Sequence, residues 1–244
     1  MWAPLRPMLF RPDVLDDAAW HGGFESRFLD DERDRCFDWQ HSVFHAYAVH
    51  RDLVPDGAIT SVLDLLDARW RGRVLSSDPR IGIGLNASAA VSAHRDRDVL
   101  KRLLVDQRPM RANSAAQLAE ALVTRRVPIV LGLRPKALED FRSRGADRVR
   151  FLDLPDADFV PSTSMLAFAH AAHPAASRLF ANWFLTREAQ AVVGQSTPAN
   201  SARLDVPAFE PIDTGSAAAY YEPDRASNAV HIADTARFVR SLVS

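Results

Sequence analysis

The order of apolar and polar positions in the middle of the chain predicts helices and strands in alternation. Residues 62–70 carry apolar side chains at helical spacing, and residues 73–77 follow as a short strand. Residues 127–133 are almost wholly apolar and rich in β-branched side chains, which is typical of a strand buried on both faces. A further strand is predicted at 149–152, so residues 60–155 have the pattern of an α/β arrangement.

Two of the predicted helices begin at recognisable capping residues. Ser61 and Ser114 are each followed three residues later by a side chain that can return a hydrogen bond, Asp64 and Gln117 respectively. In this arrangement the serine hydroxyl accepts a bond from an N–H group of the first helical turn. Thr60 can cap the first helix in place of Ser61, so helices are expected to start directly after one of these two residues and after Ser114.

A glycine-bearing loop follows the strand predicted at residues 73–77. It opens with Asp78-Pro79-Arg80, where the proline prevents continued strand pairing. Asn86 and Ser88 can each cap the next helix, which is predicted through residues 89–94. A strand, a loop and a helix in this order place ligands at the carboxyl end of a parallel sheet.

The last third of the chain contains a strongly apolar helix. Leu179 and Trp183, like Phe180 and Phe184, lie four residues apart and form one wide face that needs a packing partner. Each aromatic side chain covers roughly 150–250 Å² when buried. If no partner layer is present, several hundred Å² of apolar surface should be exposed on this helix.

Composition and charge exclude several classes of protein. The chain has 244 residues, of which 47% are hydrophobic and 25% charged, as in ordinary globular proteins. A net charge of −1 gives no overall field that attracts nucleic acid. Cys36 is the single cysteine, so an internal disulfide is excluded. The first ten residues do not resemble a signal peptide, because prolines and an arginine interrupt the apolar run.

Catalytic motifs are missing from the sequence. It contains neither a G-x-S-x-G nucleophile motif nor a G-x-x-x-x-G-K-[ST] phosphate-binding loop. Gly82 and Gly84 form G-x-G without the third glycine of a dinucleotide-binding loop. We therefore predict a protein without catalysis, catalytic residues or a cofactor.

Two groups of residues have side chains of the types that bind metals. They are His41, His45 and His50, and Asp153, Asp156 and Asp158. The histidines lie in a segment with the pattern of a strand, where spacings of four and five residues do not form a helical site. The aspartates lack the glycine and the bidentate glutamate of a calcium loop. We therefore predict no metal site from the sequence.

Three segments of the sequence carry a resemblance to a known family. LLDARWRGRVLSSDPR at residues 65–80 resembles the DLLDPKWKGKV…DPR segment of bacterial ABC-transporter solute-binding proteins. The segments at 114–133 and 169–195 are similar to two further parts of the same family, in the same order. The branch that this chain resembles is that of the type II periplasmic binding proteins, which includes the ferric-iron and polyamine binders.

The resemblance implies an α/β protein with the type II periplasmic-binding fold, in which two lobes are joined by crossing strands. Residues 52–158 are expected to form the second α/β lobe, and residues 1–45 and 162–244 an incomplete first lobe. The crossings are expected near 43–49 and 159–168. Because the family pattern begins before the position that matches Met1, the resemblance also implies that the chain is truncated at its N-terminus.

The resemblance further implies the substrate-binding component of an ABC importer, which captures a small solute in a cleft between the lobes. Its partners would be the solute and the ABC permease subunits, with no nucleic acid, and its location periplasmic or extracellular. The alternative is an intracellular effector-binding domain of the same fold. That reading needs an output domain elsewhere, and this sequence contains no recognisable helix-turn-helix.

Ligand contacts are expected where loops follow the predicted strands and at the second crossing. The residues are Asp78, Arg80, Ser88, Gly132, Arg134, Ser162, Thr163 and Ser164. Helix N-termini and the two arginines favour an anionic ligand, although each arginine could instead form a surface ion pair.

The resembled iron-binding branch holds its metal with tandem tyrosines. At the matching place this chain has Leu131-Gly132-Leu133-Arg134, and its own tandem pair, Tyr220-Tyr221, comes too late in the family order. Iron capture by tyrosines is therefore not expected, and the two tyrosines are interpreted as packing residues.

Overall fold

The computed structural model describes residues 2–196, 200–208 and 220–243. The chain divides into two compact units. Unit 1 comprises Met1–Ser42, Val160–Gly215 and Asp224–Asn228, and unit 2 comprises Val43–Phe159, Ser216–Pro223 and Ala229–Ser244. None of the helices among the described residues is long and apolar enough to cross a membrane.

Nine strands and seven α-helices are found in the described residues. The strands are β1 (Trp2–Ala3), β2 (Phe37–Asp38), β3 (Tyr47–His50), β4 (Val74–Ser76), β5 (Met110–Arg111), β6 (Ile129–Leu131), β7 (Val149–Phe151), β8 (Ser164–Met165) and β9 (Ala167–Phe168). The helices are α1 (Pro12–Leu15), α2 (Gly82–His94), α3 (Arg97–Lys101), α4 (Ala115–Val123), α5 (Pro174–Phe184), α6 (Arg187–Ser196) and α7 (Ala229–Leu242).

Short helical turns connect these elements. The 3₁₀ turns are Arg6–Met8, Asp17–Ala19, Phe24–Arg27, Val62–Leu66, Ala68–Trp70, Pro135–Arg144, Ala146–Arg148 and Ala226–Asn228, and a π-helical turn spans Arg102–Asp106. Two of them, Val62–Leu66 and Ala68–Trp70, replace the helix that the sequence predicted at 62–70. The capping box expected at the first is present, because the Ser61 hydroxyl accepts from the N–H of Leu63 and Asp64 accepts in return.

Unit 2 is built on a five-stranded sheet in the order β5-β4-β6-β3-β7. Strand β4 runs parallel to β5 and β6, whereas β3 runs antiparallel to β6 and β7. Both faces of the sheet are covered. Alternate residues of β6 illustrate this, since Ile129 and Leu131 pack into one apolar cluster and Val130 into the other. The prediction of a doubly buried strand at 127–133 is confirmed.

Two helices of unit 2 differ from the sequence prediction. Helix α2 begins at Gly82, well before the capping positions Asn86 and Ser88, and Ser88 is therefore an interior, buried helical residue. Helix α7 packs on α2 and belongs to unit 2, whereas the predicted boundaries placed residues 162–244 together in the other lobe. Val239, buried in the main cluster of unit 2, fixes this packing.

Unit 1 contains only two-stranded sheets among its described residues. Strand β1 pairs with β9, and β2 pairs with β8, each over two residues. Its apolar core surrounds Trp20 and Phe37, whose rings meet edge to face with their centres 4.9 Å apart. The apolar helix predicted around Leu179 and Phe184 is α5, which ends at Phe184. Helix α6 follows from Arg187, and the Thr186 hydroxyl between them accepts from the N–H of Ala189.

Candidate functional site

A cavity of about 420 Å³ lies in unit 2 at the carboxyl ends of β4 and β6. Because these strands are parallel, the loops that follow them meet at one edge of the sheet. The lining residues are Ser77, Asp78, Ile81, Gly82, Ile83, Ala112, Asn113, Ser114, Ala115, Leu118, Gly132 and Arg134. Three of the residues predicted from the sequence, Asp78, Gly132 and Arg134, are among them.

The N-termini of two helices border this cavity. Helix α2 starts there at Gly82, and no described side chain caps it. Helix α4 starts at Ser114, whose hydroxyl accepts from the N–H of Gln117 at 3.2 Å, and Gln117 accepts from the N–H of Asn113 at 2.7 Å. Both helix ends carry partial positive charge, so this edge of unit 2 is suited to an anion.

The Ser77 hydroxyl is the polar group of the cavity that is best suited to bind a ligand. Its Oγ atom is buried and has no hydrogen-bond partner in the described part of the chain. A buried hydroxyl without a partner costs about 1–3 kcal/mol. A solute atom that exchanges a hydrogen bond with Ser77 would remove this cost. The ligand contact predicted from the sequence was the neighbouring Asp78. Ser77 was missed because it is distinguished by the burial of its hydroxyl, which the residue type does not reveal.

Two glycines allow the close packing around Ser77. Gly132 has a φ of +94°, and a Cβ atom built on it would lie 2.4 Å from the Ser77 Oγ. A Cβ on Gly84 would lie 2.2 Å from the backbone oxygen of Asp78. Side chains at these two positions would therefore push the strand ends and the helix start apart.

Asp78 and Arg80 form an ion pair with each other. The Arg80 Nε lies 2.9 Å from Asp78 Oδ1, and its second amino group lies 2.7 Å from Oδ2. This side-chain bond from Arg80 lowers the pKa of Asp78 to about 2, with Arg111 adding a smaller effect. This ion pair is the alternative role that was left open for Arg80 on the basis of the sequence. Arg80 does not line the cavity.

The other predicted residues lie elsewhere. Ser88 is buried inside α2, and its hydroxyl donates to the carbonyl of Gly84 at 2.8 Å. Ser162, Thr163 and Ser164 belong to unit 1. There the N–H of Ser162 donates to Asp224, the N–H of Thr163 donates to Asp38, and Ser164 begins β8. Arg134, in contrast, is exposed at the cavity, with its guanidinium 6.0 Å from the ring centre of Phe44.

Comparison with solved structures shows the fold. The chain is similar to iron-bound HitA from Pseudomonas aeruginosa, at 14% identity and a TM-score of 0.72, covering 97% of this chain and 76% of that one. It is similar to the ferric iron-binding protein A of Mannheimia haemolytica in an open conformation, at 13% identity and a TM-score of 0.70, covering 96% and 75%.

A third similar structure is the substrate-binding protein of an ABC transporter from Agrobacterium tumefaciens, at 14% identity and a TM-score of 0.64, covering 96% of this chain and 71% of that one. These likenesses confirm the type II periplasmic-binding fold that the sequence analysis expected. No curated protein sequence matches the chain.

The family is shown by the sequence itself. The model of the bacterial extracellular solute-binding proteins matches residues 46–196, which is more than half of the chain. The match includes the strands and helices that form the cavity of unit 2. This chain belongs to the family of bacterial extracellular solute-binding proteins.

Proposed function

We propose that this protein captures a small anionic solute for an ABC importer, and that the solute contacts unit 2 in the cavity beside Ser77. The observation that carries the proposal is the buried, unpartnered hydroxyl of Ser77 in a concave site between two helix N-termini. Carboxylate and phosphate groups accept hydrogen bonds from hydroxyls and helical N–H groups alike. The proposed location is periplasmic or extracellular, with the permease subunits as partners.

Arg134 provides the positive charge of the proposed site. It follows β6 directly, lines the cavity and is exposed, so its guanidinium can reach a solute. A guanidinium binds carboxylate or phosphate through two parallel hydrogen bonds. Arg80 takes a different role in the proposal, since it already bonds Asp78 and keeps that carboxylate from repelling an anion.

Contacts from other parts of the chain remain proposals. Ser162, Thr163 and Ser164 are proposed as polar contacts of the solute, in keeping with their predicted place at the second crossing. The boundaries of the lobes, 52–158 for one and 1–45 with 162–244 for the other, likewise stay a proposal. Helix α7 differs from these boundaries because it belongs to unit 2.

Two of the similar structures, iron-bound HitA and ferric iron-binding protein A, are of proteins that bind iron. Among the described residues that line the cavity there is no tyrosine or histidine, and the one carboxylate, Asp78, is paired with Arg80. This supports an anionic solute at the cavity in preference to a bare ferric ion. The intracellular effector-binding alternative is not favoured, because the matching family is extracellular.

A thermal-shift experiment tests the proposal. The probes are inorganic phosphate, succinate, citrate, spermidine and ferric citrate. An anion at 100 times its dissociation constant should stabilise the fold by about 2.7 kcal/mol, which raises the melting temperature by roughly 5–10 °C. Spermidine should have no effect.

Two variants locate the binding. Arg134→Gln should weaken anion binding by roughly 10–100-fold and Ser77→Ala by roughly 3–10-fold, in line with charged and neutral hydrogen bonds. Arg142→Gln, which removes an exposed arginine outside the cavity, is the matched control and should bind as the wild type. Equal anion binding by all three variants would contradict the site, and a shift with spermidine alone would contradict the anionic solute.

A further inference from the structure

A second cluster of polar side chains lies at one end of the sheet in unit 2. Strands β3 and β7 are antiparallel neighbours, and the N–H of Leu152 donates to the carbonyl of Tyr47 at 2.9 Å. The residues just before β3 and just after β7 therefore lie side by side. This brings His45 next to Asp153 and Asp158, which are more than a hundred positions away in the sequence.

The imidazole of His45 is oriented by a buried carboxylate. Its Nδ1 lies 2.8 Å from Asp158 Oδ2, and the side chain of Asp158 is fully buried. The backbone N–H groups of Ala46 and Leu154 also donate to this carboxylate, at 2.7 Å and 2.9 Å. With the Nδ1 proton directed at Asp158, the lone pair of the ring is on Nε2. A histidine that binds metal is usually held in this way by a carboxylate.

Asp153 supplies an exposed carboxylate beside this ring. The hydroxyl of Tyr220 donates to Asp153 Oδ1 at 2.7 Å and so restricts its orientation. One ligand atom from each of His45, Asp153 and Asp158 can be chosen so that all three lie within 4.8 Å of one another. Ligand atoms about 2 Å from a shared metal ion are themselves about 3–4 Å apart. His45 and Asp153 therefore lie near enough for side-chain rotation to bring both onto one ion.

We propose that His45 and Asp153 bind a first-row transition-metal cation such as Zn²⁺ or Co²⁺. In this site Asp158 is a positioning residue for the imidazole and Tyr220 a positioning residue for the Asp153 carboxylate. An imidazole ligand selects this class of metal over Mg²⁺ and Ca²⁺, which prefer oxygen ligands. Water or a solute carboxylate completes the coordination. The site uses neither the cavity beside Ser77 nor the tandem-tyrosine position at 131–134, and it stands independently of the anion proposal.

Metal titration of the tag-free, chelator-treated protein tests this site. Zn²⁺ and Co²⁺ should raise the melting temperature by several degrees at saturation, and Mg²⁺ should leave it unchanged. Bound Co²⁺ should also give visible absorption bands that EDTA removes. If neither ion changes the melting temperature nor Co²⁺ gives a bound spectrum, the proposal is wrong.

Substitutions assign the ligands. His45→Gln and Asp153→Asn should each weaken Zn²⁺ binding at least tenfold, and Tyr220→Phe by a few-fold. His170→Gln and Asp147→Asn replace an exposed histidine and an exposed aspartate elsewhere, and Cys36→Ser removes the thiol; all three should bind as the wild type. The melting temperature without metal shows whether each variant is folded. Unchanged Zn²⁺ binding in folded His45→Gln and Asp153→Asn would overturn the proposal. The His45–Asp158 pair would then have only a structural role.

Discussion

Unit 2 and unit 1 hold their backbones together by different means. In unit 2 the backbones of five strands are hydrogen-bonded to one another in one sheet, and apolar clusters cover both faces of that sheet. In unit 1 the described strands are two residues long and paired only two by two, which is too little for a sheet to be stable alone. Buried polar side chains take over part of the role of strand pairing there.

Asn182 and Arg203 illustrate how unit 1 is held together. The buried amide of Asn182 accepts from the N–H groups of Phe10 and Arg11 and donates to the carbonyl of Met8. The buried guanidinium of Arg203 donates to two carbonyl groups, at 2.9 Å and 3.0 Å, and pairs with Asp205. We therefore expect stability to be spread over many residues in unit 2 and to depend more on a few polar side chains in unit 1.

The largest effect is expected from the buried ion pair of unit 1. Arg27 donates to the carboxylate of Asp38 and to the carbonyl groups of Asp38 and Gln40, and both side chains are almost fully buried. Arg27→Met would remove the guanidinium that bonds this buried carboxylate and should lower the free energy of unfolding by about 3–5 kcal/mol. Urea denaturation measures this change.

The control for this variant is the exposed pair of Arg6 with Glu25 in the same unit. Arg6→Met should change the free energy of unfolding by less than about 1 kcal/mol. A loss under 1 kcal/mol for Arg27→Met as well would show that unit 1 does not depend on its buried polar groups, and the comparison would fail.

A core substitution in unit 2 should have the next largest effect. Ile129 in β6 is fully buried, and Ile129→Ala should cost about 2–5 kcal/mol through lost burial and the cavity that remains. Amide hydrogen exchange should then rise mainly in β3, β4 and β6, whereas Arg27→Met should raise it mainly in unit 1. Equal increases in both units for both variants would show that the two unfold as one.

The pH dependence of stability should come partly from His41 in unit 1. Burial, together with His21, whose ring stacks on it at 3.8 Å, lowers the pKa of His41 to about 3. Between pH 3 and 6.5 the unfolded state therefore binds more protons than the folded state. Stability should fall as the pH drops below 6.5, by at most about 1.4 kcal/mol for each pH unit.

His41→Phe keeps a buried ring and removes the titration, so thermal unfolding at pH 7 and pH 5 should show a loss that is smaller than in the wild type by up to about 2 kcal/mol. His170→Phe, at an exposed position, should retain the wild-type pH dependence. An unchanged pH dependence in His41→Phe would assign the acid sensitivity to other groups.

The smallest effect on stability is expected at the apolar face of α5. Leu179, Phe180 and Trp183 are 63%, 55% and 52% exposed, so much of the apolar face predicted for this helix is open in unit 1. Leu179→Glu with Trp183→Lys places a favourable pair four residues apart on this face. The free energy of unfolding should change by less than about 1 kcal/mol, while self-association and binding of an apolar dye should fall.

Val230→Lys in unit 2 replaces a single exposed apolar residue and serves as the control for that double variant. It should alter neither association nor dye binding, since isolated apolar residues are normal on a protein surface. Sedimentation velocity measures the association state of each variant. An unchanged association state in the α5 variant would show that the aromatic face of α5 does not cause self-association.

Much of the candidate site in unit 2 could be predicted because its signals are local. The strands at 74–76 and 129–131 followed from apolar runs, and the loops after them pointed to Asp78, Gly132 and Arg134. Ser88 was placed at the site because it can cap a helix, but α2 already begins at Gly82. Helix starts without a capping side chain leave no such signal in the sequence.

The sequence alone determined the α/β alternation of residues 60–155, the capped starts at Ser61 and Ser114, and the family, because each depends on residues close together in the chain. The tertiary structure decided what depends on distant residues. It joined α7 to α2, buried the Ser77 Oγ without a hydrogen-bond partner among the described residues, and brought His45 to Asp153 and Asp158. Such contacts follow from strand order and packing, which neighbouring residues do not encode.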